Sequence, residues 1–451
     1  MASNRVSQAV IVIHGIGEQK PMDTIRGFVE SVLDEPKDGG EKYFSKPNDM
    51  SELFELRKLQ NREQPRTHFF EYYWAHKMQG TTMSHVTSWL SSLLLRLPTN
   101  IPSQIKPLWY LSWMLIIAVL VLLALGIIGE TTDPENQTTP FFSVSTALAL
   151  VWGGIQAWII NDAGDAARYL SANPKNIAVR QAIRSDGIKL IRSIHESGEY
   201  DRVIVVGHSL GTVIGYDILK HLWQDYYRIY KNPRKHAQKK MQEVEKAGEI
   251  LSQQPTQKNL DGFQKAQFNA WRELRELGNP WLVTDFITMG SPLTHAVILM
   301  AKSEKDLERR KQQRELPACP PIPETETGKP SGKYKYSYEV WDPYITEKGN
   351  VKLSVFHHAA AFGFTRWTNL YFPAHLGLFG DMIGGPLKKY FGEGIRDIVV
   401  TTSKLRGLAR YTLLAHSMYW KKTPESDAIT GDTDSLKLLK TYLDLKRINW
   451  S

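Results

Sequence analysis

The sequence predicts an α/β fold in which a mostly parallel sheet is covered by helices on both faces. Short apolar runs alternate along the chain with segments of helical periodicity, which is the pattern of alternating strands and helices. Residues 11–13 and 203–206 contain only Ile and Val, as expected of strands that are buried on both sides. With 42% hydrophobic and 23% charged residues, the composition is that of an ordinary globular protein rather than a disordered chain.

The individual elements follow from these periodicities. Strands are predicted at residues 9–13, 68–74, 202–207, 282–289, 366–372 and 397–401. Helices are predicted at residues 22–34, 176–197, 211–223 and 404–414. Two long segments interrupt the alternation: residues 225–278 read as a helical pair, and residues 301–350 as a charged helix followed by a Pro-rich loop. Because long insertions often act as lids, the sequence predicts helical caps on the domain.

The length of 451 residues allows two or three domains, or one large domain with insertions. The formal net charge of +9 favours a solvated surface over nucleic-acid binding. Residues 228–246, with seven Lys or Arg against two Glu, form either a solvated helix face or a contact with anionic lipid headgroups. The single cysteine, Cys319, excludes an intrachain disulfide. The first apolar run has five residues and a signal peptide needs about 7–15, so no secretory signal is predicted.

Two uncharged apolar runs predict a transmembrane hairpin in the middle of the chain. Residues 108–128 and 141–160 contain 21 and 20 residues, and a helix of about 20 residues crosses the hydrocarbon core of a bilayer. Their connector is acidic and basic residues flank both runs, so the positive-inside rule places the flanks and both termini in the cytoplasm. A pair of buried core helices is the alternative. Residues 83–97, apolar at helical spacing, are expected to lie on the bilayer or to pack on the soluble domain.

Residues 207–211, Gly-His-Ser-Leu-Gly, stand between a predicted buried strand and a predicted helix. In that context the pattern predicts a sharp turn that exposes the serine hydroxyl, so Ser209 is the expected nucleophile. The flanking glycines leave room for the turn. The backbone N–H group of Leu210 and one from the loop after the first predicted strand, at Gly15 or Ile16, are the expected oxyanion hole.

A serine hydroxyl needs a base, and the base needs an acid that holds its tautomer. His416 follows the last predicted strand and is the expected base. Asp381 lies in the loop after the penultimate predicted strand and is the expected acid, with Glu393 and Asp397 as rivals. Asp285 lies inside a predicted strand and is less well placed to reach the base.

The sequence resembles the α/β-hydrolase superfamily, and within it the lipase- and esterase-like serine hydrolases. The resemblance rests on His-Gly at 14–15, the turn at 207–211, Met-Gly-Ser-Pro at 289–292, Trp-Thr-Asn at 367–369 and Ala-His-Ser at 415–417. It implies an α/β-hydrolase fold with Ser209 as nucleophile, His416 as base and Asp381 as acid. Two features depart from the family: Met382 follows the acid where relatives often have Pro, and soluble lipases lack the predicted hairpin.

The resemblance and the insertions together suggest a division of the chain. The hydrolase domain is expected to comprise residues 1–75, 166–224, 279–300 and 351–451. The other segments are an amphipathic connector at 76–106, the transmembrane hairpin at 107–165, a helical cap insertion at 225–278 and a charged, Pro-rich insertion at 301–350.

The sequence therefore predicts a membrane-anchored serine hydrolase that cleaves carboxylic esters, with lipid esters as the expected substrates, through a Ser-His-Asp triad and an acyl-enzyme. A thioesterase, amidase or acyltransferase with the same triad is the first alternative, and a non-catalytic membrane scaffold is the second. The expected partners are the ester or lipid substrate and the bilayer. No metal or cofactor is expected, because the sequence contains no zinc or nucleotide signature. Residues 15–17, Gly-Ile-Gly, follow a predicted strand, but position 20 is Lys where a dinucleotide-binding motif requires glycine.

Overall fold

The computed structural model describes residues 7–16, 20–78, 95–98, 101, 106–132, 169, 174–232, 238–324, 335–340, 353–374, 380–381, 383–401, 413–421 and 433–447. Several predicted features lie outside these residues. They are the second apolar run at 141–160, most of the amphipathic stretch at 83–97, and all but the last two residues of the helix predicted at 404–414.

Eight strands form one sheet, and two more form a separate two-stranded sheet. In chain order the strands are β1 Ser7–Ile13, β2 Tyr43–Pro47, β3 Arg57–Asn61, β4 Arg66–Tyr72, β5 Arg202–His208, β6 Val283–Met289, β7 Ser337–Val340, β8 Leu353–Phe356, β9 Arg366–Tyr371 and β10 Arg396–Val399. The sheet order is β2-β3-β4-β1-β5-β6-β9-β10, and strands β7 and β8 form a second, two-stranded antiparallel sheet. The six strands β4, β1, β5, β6, β9 and β10 run parallel to one another. Strand β3 pairs antiparallel with β4, and β2 pairs antiparallel with β3. The predicted α/β class with a mostly parallel sheet is confirmed.

Helices connect the strands and cover both faces of the sheet. In chain order they are α1 Asp23–Val32, α2 Lys106–Thr132, α3 Pro174–Glu196, α4 Leu210–Tyr226, α5 Lys239–Gln253, α6 Gln257–Glu276, α7 Ala296–Leu299, α8 Glu304–Gln312, α9 Lys388–Phe391 and α10 Ser435–Leu443. The hydrophobic core is split by the sheet into two clusters. Val203 and Val205 of β5 belong to the cluster with α3 and α4, whereas Ile204 and Val206 belong to the cluster with α1 and α10. This division explains the unbroken apolar run of β5, since successive side chains point to opposite faces.

Strands β2 and β3 extend the sheet beyond the predicted strands. Strand β2 reads Tyr-Phe-Ser-Lys-Pro and strand β3 reads Arg-Lys-Leu-Gln-Asn, so neither carries an apolar run. Four of the five β2 residues are exposed. Lysine and proline are typical of an edge strand, where they discourage pairing with another chain.

The helical pair predicted at residues 225–278 is present as α5 and α6, and it packs against the edge of the sheet where the strands begin. Asp261 of α6 forms an ion pair of 2.6 Å with Arg396, the first residue of β10. The Nε2 of Gln267 donates to the carbonyl oxygens of Phe362 and Thr365, which precede β9. The predicted site lies at the opposite, carboxyl edge, so these two helices do not cap it.

Helix α2 contains the first predicted apolar run, residues 108–128. Its large apolar side chains that are 46–60% exposed are Tyr110, Met114, Ile117, Leu120, Val121 and Leu125. No helix in the described part of the chain qualifies, by length and apolar character, as a membrane-crossing segment.

Five buried histidines make stability depend on pH. Burial lowers the pKa of His14, His68 and His357 to about 4 and that of His195 and His208 to about 3. A histidine in the unfolded chain has a pKa of about 6.5, so between these values the unfolded state binds protons that the native state does not. Their contribution to stability is therefore complete above about pH 6.5 and is lost as the pH falls towards 4.

We expect the free energy of unfolding to decrease by about 1.4 kcal/mol per pH unit for each of these histidines as the pH falls below about 6. Urea titrations at about pH 7.5 and about pH 5.5 measure the difference. A free energy of unfolding that is equal at both pH values, or larger at the lower one, would contradict the assignment of these histidines as neutral.

Candidate active site

The turn between β5 and α4 holds Ser209 in an uncommon backbone conformation. Its φ is 51° and its ψ is −128°, whereas residues with a side chain rarely adopt a positive φ. The backbone N–H of Ser209 donates to the carbonyl oxygen of Met289 at 2.9 Å, and its own carbonyl oxygen accepts from the N–H and hydroxyl of Thr212 at 3.0 and 2.7 Å. Strain of this kind persists where the surroundings enforce it, as they do at many catalytic residues.

The glycines on either side of this turn are required by space. A Cβ at Gly207 would lie 2.7 Å from the Cα of Thr212, and one at Gly211 would collide with the carbonyl oxygen of Ile13. The helix can therefore start directly behind the central strands only because both positions are glycine. This confirms the predicted sharp strand-to-helix turn.

The hydroxyl of Ser209 is buried, so the prediction that the turn exposes it is wrong: the residue is only 2% exposed, because the loop that carries Gly15 packs against its side chain. Among the described residues, no donor or acceptor contacts its Oγ. A buried polar atom without a partner costs about 1–3 kcal/mol, which a bound substrate group can offset.

The predicted base, His416, contacts the predicted acid, Asp381. His416 lies in the 3₁₀ helix Leu413–Ser417, and its Nδ1 lies 3.0 Å from both carboxylate oxygens of Asp381. Its Nε2 is buried and has no hydrogen-bond partner in the described part of the chain. Since Nδ1–H donates to the carboxylate, Nε2 carries the free lone pair that a general base requires.

The surroundings of Asp381 keep its carboxyl ionised. The carboxylate is fully buried and also accepts hydrogen bonds from the hydroxyl of Tyr419 at 2.6 Å and from the N–H groups of Ile383 and Gly384 at 2.9 Å each. Burial alone would raise the pKa, but the electrostatic interaction and hydrogen bond with His416, with the bonds from Tyr419 and Gly384, lower the pKa of Asp381 to about 2. A carboxylate that is ionised and fixed in this way orients the imidazole and stabilises its protonated form.

The rival carboxylates have other partners. Asp397 accepts from the backbone N–H groups that open helix α9. Glu393 lies 3.9 Å from the ammonium group of Lys388, and Asp285 forms a buried ion pair of 2.7 Å with Arg202. Among the described residues, none of these three carboxylates contacts the imidazole of His416.

The predicted oxyanion-hole residues lie around the nucleophile. A Cβ at Gly15 would lie 2.8 Å from the Cβ of Ser209, so the loop that carries Gly15 and Ile16 passes directly beside the serine. Leu210 is the first residue of helix α4, where backbone N–H groups have no acceptor within the helix. These residues therefore lie where two backbone donors can approach a carbonyl oxygen bound at Ser209.

His14 fixes the orientation of this loop, a role that the sequence did not reveal. Its ring stacks on Trp74 with centroids 4.9 Å apart, and its Nε2 accepts from the backbone N–H of Trp74 at 3.3 Å. The proton therefore lies on Nδ1, which donates to the carbonyl oxygen of Gly15 at 2.8 Å. In a trans peptide the C=O and N–H point in opposite directions, so this bond also sets the direction of the N–H of Ile16.

Gly290, which follows β6, leaves the space that His416 occupies. Its φ is 57°, and a Cβ at this position would lie 2.8 Å from the Cε1 and 2.9 Å from the Nδ1 of His416. The only sequence signal for this role is the Met-Gly-Ser-Pro segment at 289–292.

Among the described residues, Ser209 Oγ and His416 Nε2 have no hydrogen-bond partner, so they do not form a hydrogen bond with each other. The imidazole of His208, the neighbour of Ser209, lies with its centroid 4.9 Å from that of His416. The imidazole of His416 therefore lies beside the residue that precedes the nucleophile. Catalytic hydrogen bonds are often long in ligand-free enzymes and shorten when substrate binds.

Searches of protein-family models, curated proteins and solved structures found no match to this chain. The described residues also contain no group of three or more His, Cys, Asp or Glu side chains arranged to hold a metal ion. The geometry of the site is therefore the basis for inferring its function.

Proposed function

We propose that this protein is a serine hydrolase that cleaves carboxylic esters through an acyl-enzyme intermediate. The observation that carries the proposal is the imidazole of His416, whose Nδ1 lies 3.0 Å from both carboxylate oxygens of the buried Asp381, together with Ser209 held at a φ of 51° in the strand-to-helix turn. A hydroxyl and a free imidazole nitrogen in one site are the two groups that nucleophilic acyl transfer requires.

In the proposed reaction, Ser209 Oγ attacks the ester carbonyl carbon while His416 Nε2 accepts the hydroxyl proton. The ionised Asp381 stabilises the imidazolium, and the backbone N–H groups of Leu210 and of the Gly15–Ile16 loop donate to the oxyanion. The imidazolium then protonates the departing alkoxide, which leaves as an alcohol. A water molecule, deprotonated by the same imidazole, hydrolyses the acyl-enzyme and restores the serine.

The order of the elements supports the more specific proposal of an α/β-hydrolase fold. The nucleophile follows the central strand β5, and the oxyanion loop follows the neighbouring strand β1. The acid follows β9 and the base follows β10, so the chain order is Ser, Asp, His, as in that family. A non-catalytic scaffold has no need for a serine at a φ of 51° or for a histidine bonded to a buried carboxylate at the ends of these strands.

We further propose that the protein acts on lipid esters at a membrane, with its catalytic domain and both termini in the cytoplasm. The apolar side chains exposed on helix α2 and the uncharged second run at 141–160 support this. Fractionation of cells that express the full chain tests it. The protein should remain with the membranes in high salt and in alkaline carbonate and dissolve in detergent, and release by salt alone would contradict it.

The chemistry is tested by comparing matched esters, thioesters and amides of one short acyl chain, with purified full-length protein. We expect the largest kcat/KM for the ester. A clear preference for the thioester or the amide would favour the corresponding alternative hydrolase, and inertness towards all three would contradict an acyl-transfer enzyme.

Gly290→Ala tests the position of the base. The new Cβ would overlap the imidazole of His416 and displace it, and misplacement by about 1 Å lowers kcat by about 100-fold. Gly262→Ala is the matched control, because nothing lies within 4 Å of a Cβ there and Gly262 lies within helix α6. The control should retain full kcat. Equal kcat values for the two variants would show that the space at Gly290 does not matter.

A further inference from the structure

His208, the residue between Gly207 and Ser209, contacts structures on both sides of the nucleophile. Its Nε2 lies 2.8 Å from the backbone carbonyl oxygen of His416. Its Nδ1 faces Gly15, where a Cβ would lie only 3.2 Å from that nitrogen. One imidazole thus lies between the loop that carries the base and the loop that carries the expected oxyanion donors.

The protonation state of His208 follows from these contacts. A carbonyl oxygen can only accept, so Nε2 carries a proton and donates to His416. Burial among the surrounding rings lowers the pKa of His208 to about 3, and the electrostatic interaction with His416 acts in the same direction. The ring is therefore neutral near pH 7, with its proton on Nε2 and a lone pair on Nδ1.

The ring of His208 is held by aromatic neighbours from the segment that carries the base. Its centroid lies 4.9 Å from that of Trp420 in an edge-on arrangement, 5.8 Å from that of Tyr419 and 4.9 Å from that of His416. Tyr419 also donates to Asp381. His208 is thus packed against the same short segment that supplies the base and one partner of the acid.

We propose that His208 is a positioning residue, an imidazole that fixes the backbone of His416 relative to Ser209 and the Gly15 loop. The inference rests on the proposed hydrolase function. His208 is not a second general base, because its Nε2 is bonded to a carbonyl oxygen and no described carboxylate forms a hydrogen bond with it. Its action is on the distance between the nucleophile and the base, which substrate attack requires to be short.

Two substitutions separate this role from simple packing. His208→Leu removes the donor, and His208→Gln keeps an N–H donor at a similar distance from the backbone. His195→Leu is the matched control, since His195 is also a buried histidine whose Nδ1 lies 2.8 Å from a backbone carbonyl oxygen, that of Ile191, but it lies near the start of β6. Each variant is assayed for hydrolysis of a soluble short-chain ester, with active sites counted by a fluorophosphonate after long exposure.

We expect His208→Leu to lower kcat per active site by about 10–100-fold with KM within about threefold, and His208→Gln to recover most of this loss. In a plot of kcat/KM against pH, the pH at which activity falls on the acid side should be the same in all variants, because His208 carries no charge near neutral pH. His195→Leu should lose thermal stability and keep its kcat per active site.

The inference is overturned if His208→Leu keeps kcat per active site within about threefold of wild type, or if His208→Leu and His195→Leu lose kcat in equal proportion. Disappearance of the fall in activity on the acid side in both His208 variants would instead make this residue the base. Failure of the proposed function looks different, since the wild-type protein itself would then neither hydrolyse the ester nor react with the fluorophosphonate.

Discussion

Replacing Ser209 with Ala should lower kcat for ester hydrolysis by about 10⁶-fold, the largest effect expected of any single change in this protein. Alanine supplies no nucleophile, whereas the backbone donors at Leu210 and Gly15 remain in place. The activity that is left should therefore come from those donors and from substrate binding alone. Single-turnover measurements with a short-chain ester determine the ratio.

The matched variant at the same position is Ser209→Gly, which removes the hydroxyl and also the strain. Alanine must still adopt a φ of 51°, but glycine adopts it freely, so we expect Ser209→Gly to be more stable than Ser209→Ala by about 1 kcal/mol. Both variants should be equally inactive. Retention of more than about 1% of wild-type kcat by either variant would exclude Ser209 as the nucleophile.

Replacing Asp381 with Asn should lower kcat by about 10⁴-fold. The amide cannot stabilise an imidazolium, and its NH₂ group favours the imidazole tautomer with the proton on Nε2, which cannot accept a proton from Ser209. The loss should be mainly in kcat, because Asp381 is fully buried and does not bind substrate.

Asp397→Asn is the matched control for Asp381→Asn. Asp397 accepts two backbone N–H bonds at the start of α9, so its replacement should cost about 1 kcal/mol of stability and leave kcat of the folded protein unchanged. Similar losses of kcat in the two variants would show that Asp381 is not the acid of the triad.

The central strands were predictable because burial on both faces leaves a continuous apolar run. Strands β1, β5 and β6 lie in the middle of the sheet, and each was predicted within two residues of its observed ends. Strands β2 and β3 were not predicted, since they form a polar edge and their pairing depends on the neighbouring strand β4 rather than on their own pattern.

The sequence predicted the helices α5 and α6 but not their position on the sheet. Its amphipathic pattern predicted two helices, and both are present. An amphipathic pattern predicts that one face of each helix is buried, but it does not predict which part of the sheet the helix packs against. The contacts of Asp261 and Gln267 place the pair at the amino edge, and these contacts are made with residues 135 and 95 positions away in the chain.

The contact between His416 and Asp381, and the position of Ser209 in the turn after β5, were predictable because the order of these residues along the chain is tied to the strands that precede them. The roles of His14, His208 and Gly290 were not, because each depends on a contact with a residue distant in the sequence. A histidine in the sequence carries no sign of its protonation state, which here follows from the backbone groups that surround it.

The most direct test of the whole account is to identify the residue that reacts with a fluorophosphonate. Full-length protein is labelled, digested and analysed by tandem mass spectrometry, with His416→Ala as a parallel sample. We predict a single phosphonylated residue, Ser209, in the wild-type protein and labelling slowed by orders of magnitude in the variant. Label on a different residue, or labelling of Ser209 at the same rate without His416, would contradict it.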